Sequence, residues 1–170
     1  MAQLATALKP KTQQEKVETG LKDAYRAEMA EALTSILAST YQLTIKSHLY
    51  HWNVVGPLFK PLHELTEDHY NALFAAADVI AERIRALGHL APAGLGKAAR
   101  FAPASDDVDH MSAIGMMKDL IKDHEAAARE LRKAAIKAGD ADDVVTEDML
   151  TERLTFHEKA IWMLRAIVAD

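Results

Sequence analysis

Five side chains able to bind a metal ion fall in one short window of the chain: His51, His63, Glu67, Asp78 and Glu82. His63 and Glu67 are four residues apart, so on a helix they are neighbours on one face, and Asp78 and Glu82 repeat the arrangement. Glu67 and Asp78 are eleven residues apart, which leaves them about 20° apart around a helix and places both pairs on one stripe. Taken singly, each such pair is ordinary solvated helix surface. Together, with apolar Leu73, Phe74 and Val79 between and beside them, they describe a face that is not simply solvated.

Length decides how these pairs can cooperate. Eleven residues of helix span roughly 16 Å, whereas metal–ligand bonds are about 2.0–2.5 Å. One chain cannot bring both pairs to one ion. Two chains lying antiparallel across a two-fold axis can, with His63 and Glu67 of one facing Asp78 and Glu82 of the other, so an isologous dimer would carry two identical sites. His51, just before the Gly56-Pro57 turn, is placed to fold back and add a nitrogen. Imidazole with carboxylate suits Fe(II), Zn(II) and similar ions rather than Mg or Ca.

The elements that must hold these residues are helices. The chain has 170 residues, 49% of them hydrophobic, with only 7 Gly and 5 Pro, a length that suits one domain with its own core. The abundant Ala favours helix. Breakers divide the sequence into four long amphipathic runs, about residues 21–52, 61–88, 109–138 and 146–168. The first closes at Asn53-Val54-Val55-Gly56-Pro57, the second opens at Pro61, and Gly139-Asp140 closes the third. The long connection 88–109 has room for a short helix over Leu95 to Phe101. Four matched helices with short first and third connections and a long middle one form an all-α, ferritin-like four-helix bundle with a crossover. We place this domain at residues 19–170, behind a mobile tail at 1–18.

Composition removes other classes. There is no Cys, hence no disulfide framework and no thiolate metal site. No stretch approaches the roughly 20 apolar residues of a membrane span, and the start has no signal-peptide pattern, so a cytoplasmic protein is expected. The net charge of −5 argues against a globally basic nucleic-acid binder, although Lys9, Lys11 and Lys16 give the tail a local positive character. No His has a Glu three residues before it, so the Glu-x-x-His pair of an intra-bundle di-iron site is missing. His124 and His157 sit on apolar stripes and read as core histidines with satisfied hydrogen bonds; His48 reads as a surface or interface residue rather than a ligand. Asp140, Asp142, Asp143, Asp148 and Glu152 form a second acidic group, for which complementing a helix N-terminus is sufficient reason.

The run Ser47-His48-Leu49-Tyr50-His51-Trp52-Asn53-Val54-Val55-Gly56-Pro57-Leu58-Phe59, followed by Leu62-His63-Glu64, resembles the signature of the Dps mini-ferritins. The order His51, His63, Glu67, Asp78, Glu82 follows their ligand spacing, and His157 to Leu164 is similar to their last helix. The resemblance implies a homododecameric shell with ferroxidase centres at its two-fold interfaces. His51, His63 and Glu67 would come from one subunit, and Asp78 and Glu82 from its neighbour. It implies an enzyme that oxidises Fe(II) with hydrogen peroxide, or more slowly with dioxygen, stores the ferric mineral and so protects DNA; zinc can substitute at the site. Glu67 stands where the family usually has Asp, and its extra methylene moves the carboxylate by about 1.5 Å. By the same resemblance, Trp52 lies near the iron and can intercept oxidising equivalents. Asp143, Asp148 and Glu152 match acidic residues lining a three-fold pore for Fe(II), a negative funnel that would concentrate cations. The alternative from another class is a nucleoid protein that compacts DNA through tails bearing Lys9, Lys11 and Lys16, displayed many times on a shell.

Overall fold

In the computed structural model, which describes residues 12–92 and 111–169, the chain forms four long helices: α1 Asp23–Asn53, α2 Phe59–Ala86, α3 Ala113–Asp140 and α4 Val144–Ile167. No strand occurs among the described residues, and no helix is long and apolar enough to cross a membrane. The expected helix at Leu95 to Phe101 lies outside the described residues.

α1 and α2 pack as one hairpin and α3 and α4 as another, with α1 against α3 and α2 against α4. Cross-helix bonds give the directions. Ser39 meets Glu130 while Tyr50 meets Asp119, so α1 and α3 run antiparallel. α2 and α3 therefore stand diagonally and point the same way, so the end of α2 and the start of α3 lie at opposite ends of the bundle.

Helix ends differ from expectation by a few residues, for local reasons. α2 begins at Phe59, where the Phe59 N–H donates to Gly56 O over 3.0 Å. Pro61 thus sits third in the first turn, where its missing N–H would have had no intrahelical partner. Gly56 permits the preceding turn with φ 99°. α3 is capped by Ser112, whose side chain accepts from the Gly115 N–H. α4 begins at Val144 because Asp143 caps it through the Thr146 N–H.

The interior holds two apolar clusters. One contains Met29, Leu33, Ile80, Ile84, Leu131 and Leu150; the other contains Leu43, Leu62, Leu73, Met117, Leu120 and Leu164. Polar side chains are buried with them, among them Thr40, Thr66, His69, His124 and His157. The threonines donate to carbonyls one turn back in their own helices. His124 departs from the expected satisfied core histidine: its Nδ1 meets His157 Nδ1 at 2.9 Å, but its Nε2 is buried with no partner among the described residues.

Ahead of α1, residues expected in the tail touch the bundle. The Glu15 N–H donates to Gly88 O over 2.9 Å, Arg85 pairs with Glu15 at 2.7 Å and reaches Gln13 O. Gly88 allows this approach: it has φ +89°, and a Cβ there would meet Glu15 O at 2.6 Å. Lys16 pairs with Glu18, both well exposed; Lys9 and Lys11 lie outside the described residues.

Candidate metal centre

The C-terminal turn of α1 and the first turns of α2 place His51 opposite His63. Each Nδ1 donates to the other residue's backbone carbonyl over 2.8 Å, and the rings stack with centroids 3.7 Å apart. The pairing has a chemical consequence. Using Nδ1–H in this way fixes the tautomer and leaves each Nε2 with a free lone pair, as when a carbonyl bonded to one ring nitrogen orients the other toward a metal. Glu67, one turn after His63, completes a group whose ligand atoms all lie within 4.8 Å of one another, the one such group among the described residues. His51 is buried, His63 half-buried and Glu67 exposed, so the set opens to the surface.

Asp78 and Glu82 are exposed further along α2 and do not join this group within one chain, as helix length requires. Between the two sets the surface is unusually apolar: Phe74 is 65% exposed and Val79 51%, with Phe59 and Trp52 also open beside the histidines. Such a patch marks an interaction surface more than a solvated face.

His48 is half-buried beside these residues. Its ring stacks on Tyr70 at 3.9 Å and on Trp52 at 4.5 Å, and the Tyr70 hydroxyl reaches Glu67 Oε1 at 3.4 Å. Sequence reading missed Tyr70; its position three residues after Glu67 was the available signal. It also missed what holds the α1 end that carries His51. Tyr50 turns inward and donates to Asp119 over 2.7 Å; Lys46, buried one turn earlier, pairs with Asp119 at 2.6 Å and with Asp123. Burial would lower the Lys46 pKa, but the two carboxylates outweigh it and raise the value. Lys46 and Tyr50 on α1 facing Asp119 and Asp123 on α3, each pair four residues apart, were legible as spacing.

The three acidic residues expected at a pore separate. Asp148 and Glu152 are exposed, the latter paired with Arg153. Asp143 is buried and does not face solvent: it accepts from Arg83 at 2.7 Å, from the Tyr25 hydroxyl at 2.9 Å and from both the N–H and hydroxyl of Thr146. Burial alone would raise its pKa, but these donors hold the carboxyl below its ordinary value. Its place is as a cap and a tie between α2 and α4, because a carboxylate so fully bonded has no lone pair to offer a passing cation.

The ferritin-like domain family matches residues 30–170. Among curated relatives, the DNA protection during starvation protein 2 of Bacillus anthracis is 35% identical over 83% of this chain and 97% of its own length. Antigen TpF1 of Treponema pallidum is 32% identical over 82% of this chain and 80% of its own. Among solved structures, a Dps protein from Bacillus brevis superposes with a TM-score of 0.80 at 32% identity, covering 88% of this chain and all of that one (100%). DpsC from Streptomyces coelicolor reaches 0.85 at 25%, covering 96% of each chain. The chain belongs to the ferritin-like family and, within it, to the Dps proteins.

Proposed function

We propose that the protein is an iron-storing, iron-detoxifying ferroxidase of the Dps kind, with Fe(II) as substrate and hydrogen peroxide, or more slowly dioxygen, as oxidant. The observation that carries this reading is the His51–His63 pair, held with both Nε2 atoms free and converging with Glu67 at an apolar-rimmed surface. Asp78 and Glu82 of a second copy supply the carboxylates that complete the site, and burial of Phe74 and Val79 favours that pairing. Dimers of this type assemble into a dodecamer, and ferric product is stored on inner carboxylates. Two Fe(II) and one hydrogen peroxide, with two protons, give two Fe(III) and two waters, so both Fenton reactants are consumed together. Asp148 and Glu152 attract Fe(II) to its entry path. Zinc occupies the same donors without redox chemistry.

The test is anaerobic Fe(II) titration followed by peroxide, watching ferric absorbance and particle size. Saturable binding and rapid oxidation in a particle of about twelve chains are expected; a stable monomer in light scattering overturns the shell. Glu67→Asp is expected to change the rate less than loss of the histidines does, and to tighten the second Fe(II) in the same titration. No tightening in the variant removes Glu67 from the second position.

A second reading, in which DNA is a partner of the protein in the cytoplasm, at the nucleoid, starts from relatives named for DNA protection during starvation. Tails bearing Lys9, Lys11 and Lys16 would supply repeated weak phosphate contacts. Replacing all three with Ala is expected to abolish DNA retardation in low-salt gels and leave iron oxidation intact; unchanged retardation excludes the tail.

A further inference from the structure

The bundle holds a second set of imidazoles that the two-fold site does not use. His69 on α2, His124 on α3 and His157 on α4 meet in the interior, 4%, 0% and 3% exposed. The His124 ring lies 5.2 Å from that of His69 and 5.0 Å from that of His157, centroid to centroid, with Phe156 alongside. No carboxylate bonds to any of them among the described residues. The Nδ1 atoms of His124 and His157 point at one another across 2.9 Å, while His69 Nδ1 and His124 Nε2 are buried without a partner among the described residues. A core of this kind would ordinarily be filled by apolar groups, since unpaired buried polar atoms cost about 1–3 kcal/mol each.

We propose that His124 and His157 form an intra-subunit metal site for monovalent copper, bound between their Nδ1 atoms with His69 flanking. The donor set selects the ion. Imidazole suits copper, and burial holds both rings neutral, with His157 pushed down to about 4 and His124 well below its ordinary value, so a lone pair is available without loss of a proton from the site. The hydrogen between the two Nδ1 atoms moves to the Nε2 of the ring that carries it. The site's charge is then that of the ion alone. A divalent ion would bury two positive charges with no anion bonded to it, at a desolvation cost that a single charge reduces. The side-chain charges that act on the outer two rings, Asp68 on His69 and Arg153 on His157, are of opposite sign. Three nitrogens do not close to within 4.8 Å here, since only the His51 group does so among the described residues; the geometry is therefore two-coordinate, which d10 monovalent ions accept. Seating an ion about 2.0 Å from each nitrogen opens the 2.9 Å contact by about 1 Å, a movement of rings rather than of helices.

The experiment titrates the assembled protein carrying His51→Ala and His63→Ala, anaerobically, with Cu(I) and with redox-silent Ag(I) against a chromogenic chelator. The expected result is one ion per chain with two nitrogen neighbours in X-ray absorption, and Zn(II) not retained. Adding His157→Gln is expected to weaken binding by more than about 100-fold, beyond the range that loss of a group merely bonded to a ligand costs. Sulfur neighbours, which would mean methionine, overturn the site, as does binding unchanged by His157→Gln or retention of Zn(II) in its place. If the added substitution prevents assembly, the neighbour identity in the parent variant decides. Because the two-fold donors are already gone, failure here leaves the ferroxidase reading standing.

Discussion

Replacing His51 and His63 together with Ala is expected to slow peroxide-driven Fe(II) oxidation by about 100-fold or more at low iron loading, while the shell stays assembled. The change removes both nitrogen donors and leaves only carboxylates, which hold Fe(II) loosely. Loss of an outer-shell partner of a metal site alone costs 10–100-fold, so loss of two ligands is expected to exceed that. The variant also loses the two reciprocal bonds that tie the end of α1 to the start of α2, at about 1 kcal/mol each. Stability therefore falls modestly, and activity is to be compared at a temperature where both proteins remain folded. Stopped-flow ferric absorbance is the measurement. Oxidation at the parental rate would remove the ferroxidase role from this pair and move attention to Asp148 and Glu152.

The parts of the proposed site that follow from helical spacing could be read from the sequence. His63, Glu67, Asp78 and Glu82 are fixed along α2 by the rise of a helix, and the separation that denies one chain both pairs is the same in the sequence and in the fold. The convergence of His51 was visible only as a turn that would bring it back; its reciprocal bonding to the carbonyl of His63 depends on the path of residues 54–58, which pattern does not give. The four helices were legible because their apolar periods are long, whereas their ends depended on which residue became the cap. Asp143 shows why. From the sequence it is one of several acids near a turn, and nothing in local spacing says that Arg83 and Tyr25, from two other helices, will close on it. Tertiary partners, not periodicity, decided its role. His124 is a similar case: its apolar stripe announced burial, but its orphaned Nε2 arises from what α2 and α4 place around it.

Asp143→Ala is expected to lower stability by about 3 kcal/mol, measured by urea unfolding at neutral pH. Breaking a buried pair by removing one partner costs about 3–5 kcal/mol, and loss of a helix cap contributes up to about 2 of this. Arg83 and Tyr25 keep partial access to solvent, which places the sum at the lower end. The pH dependence carries a sign. The folded-state pKa of Asp143 is depressed, so its contribution is complete above the unfolded carboxyl pKa near about 3.9 and is lost as pH falls through the lower folded value. The gap between parent and variant is therefore expected to stay constant from pH 7 to about 5 and to narrow below about 4. A pore carboxylate behaves in the opposite way: its removal slows Fe(II) entry and leaves unfolding almost unchanged, the result expected for Asp148→Asn with Glu152→Gln. If Asp143→Ala unfolds like the parent but takes up iron slowly, the buried cap described here is wrong, and Asp143 belongs with the pore after all.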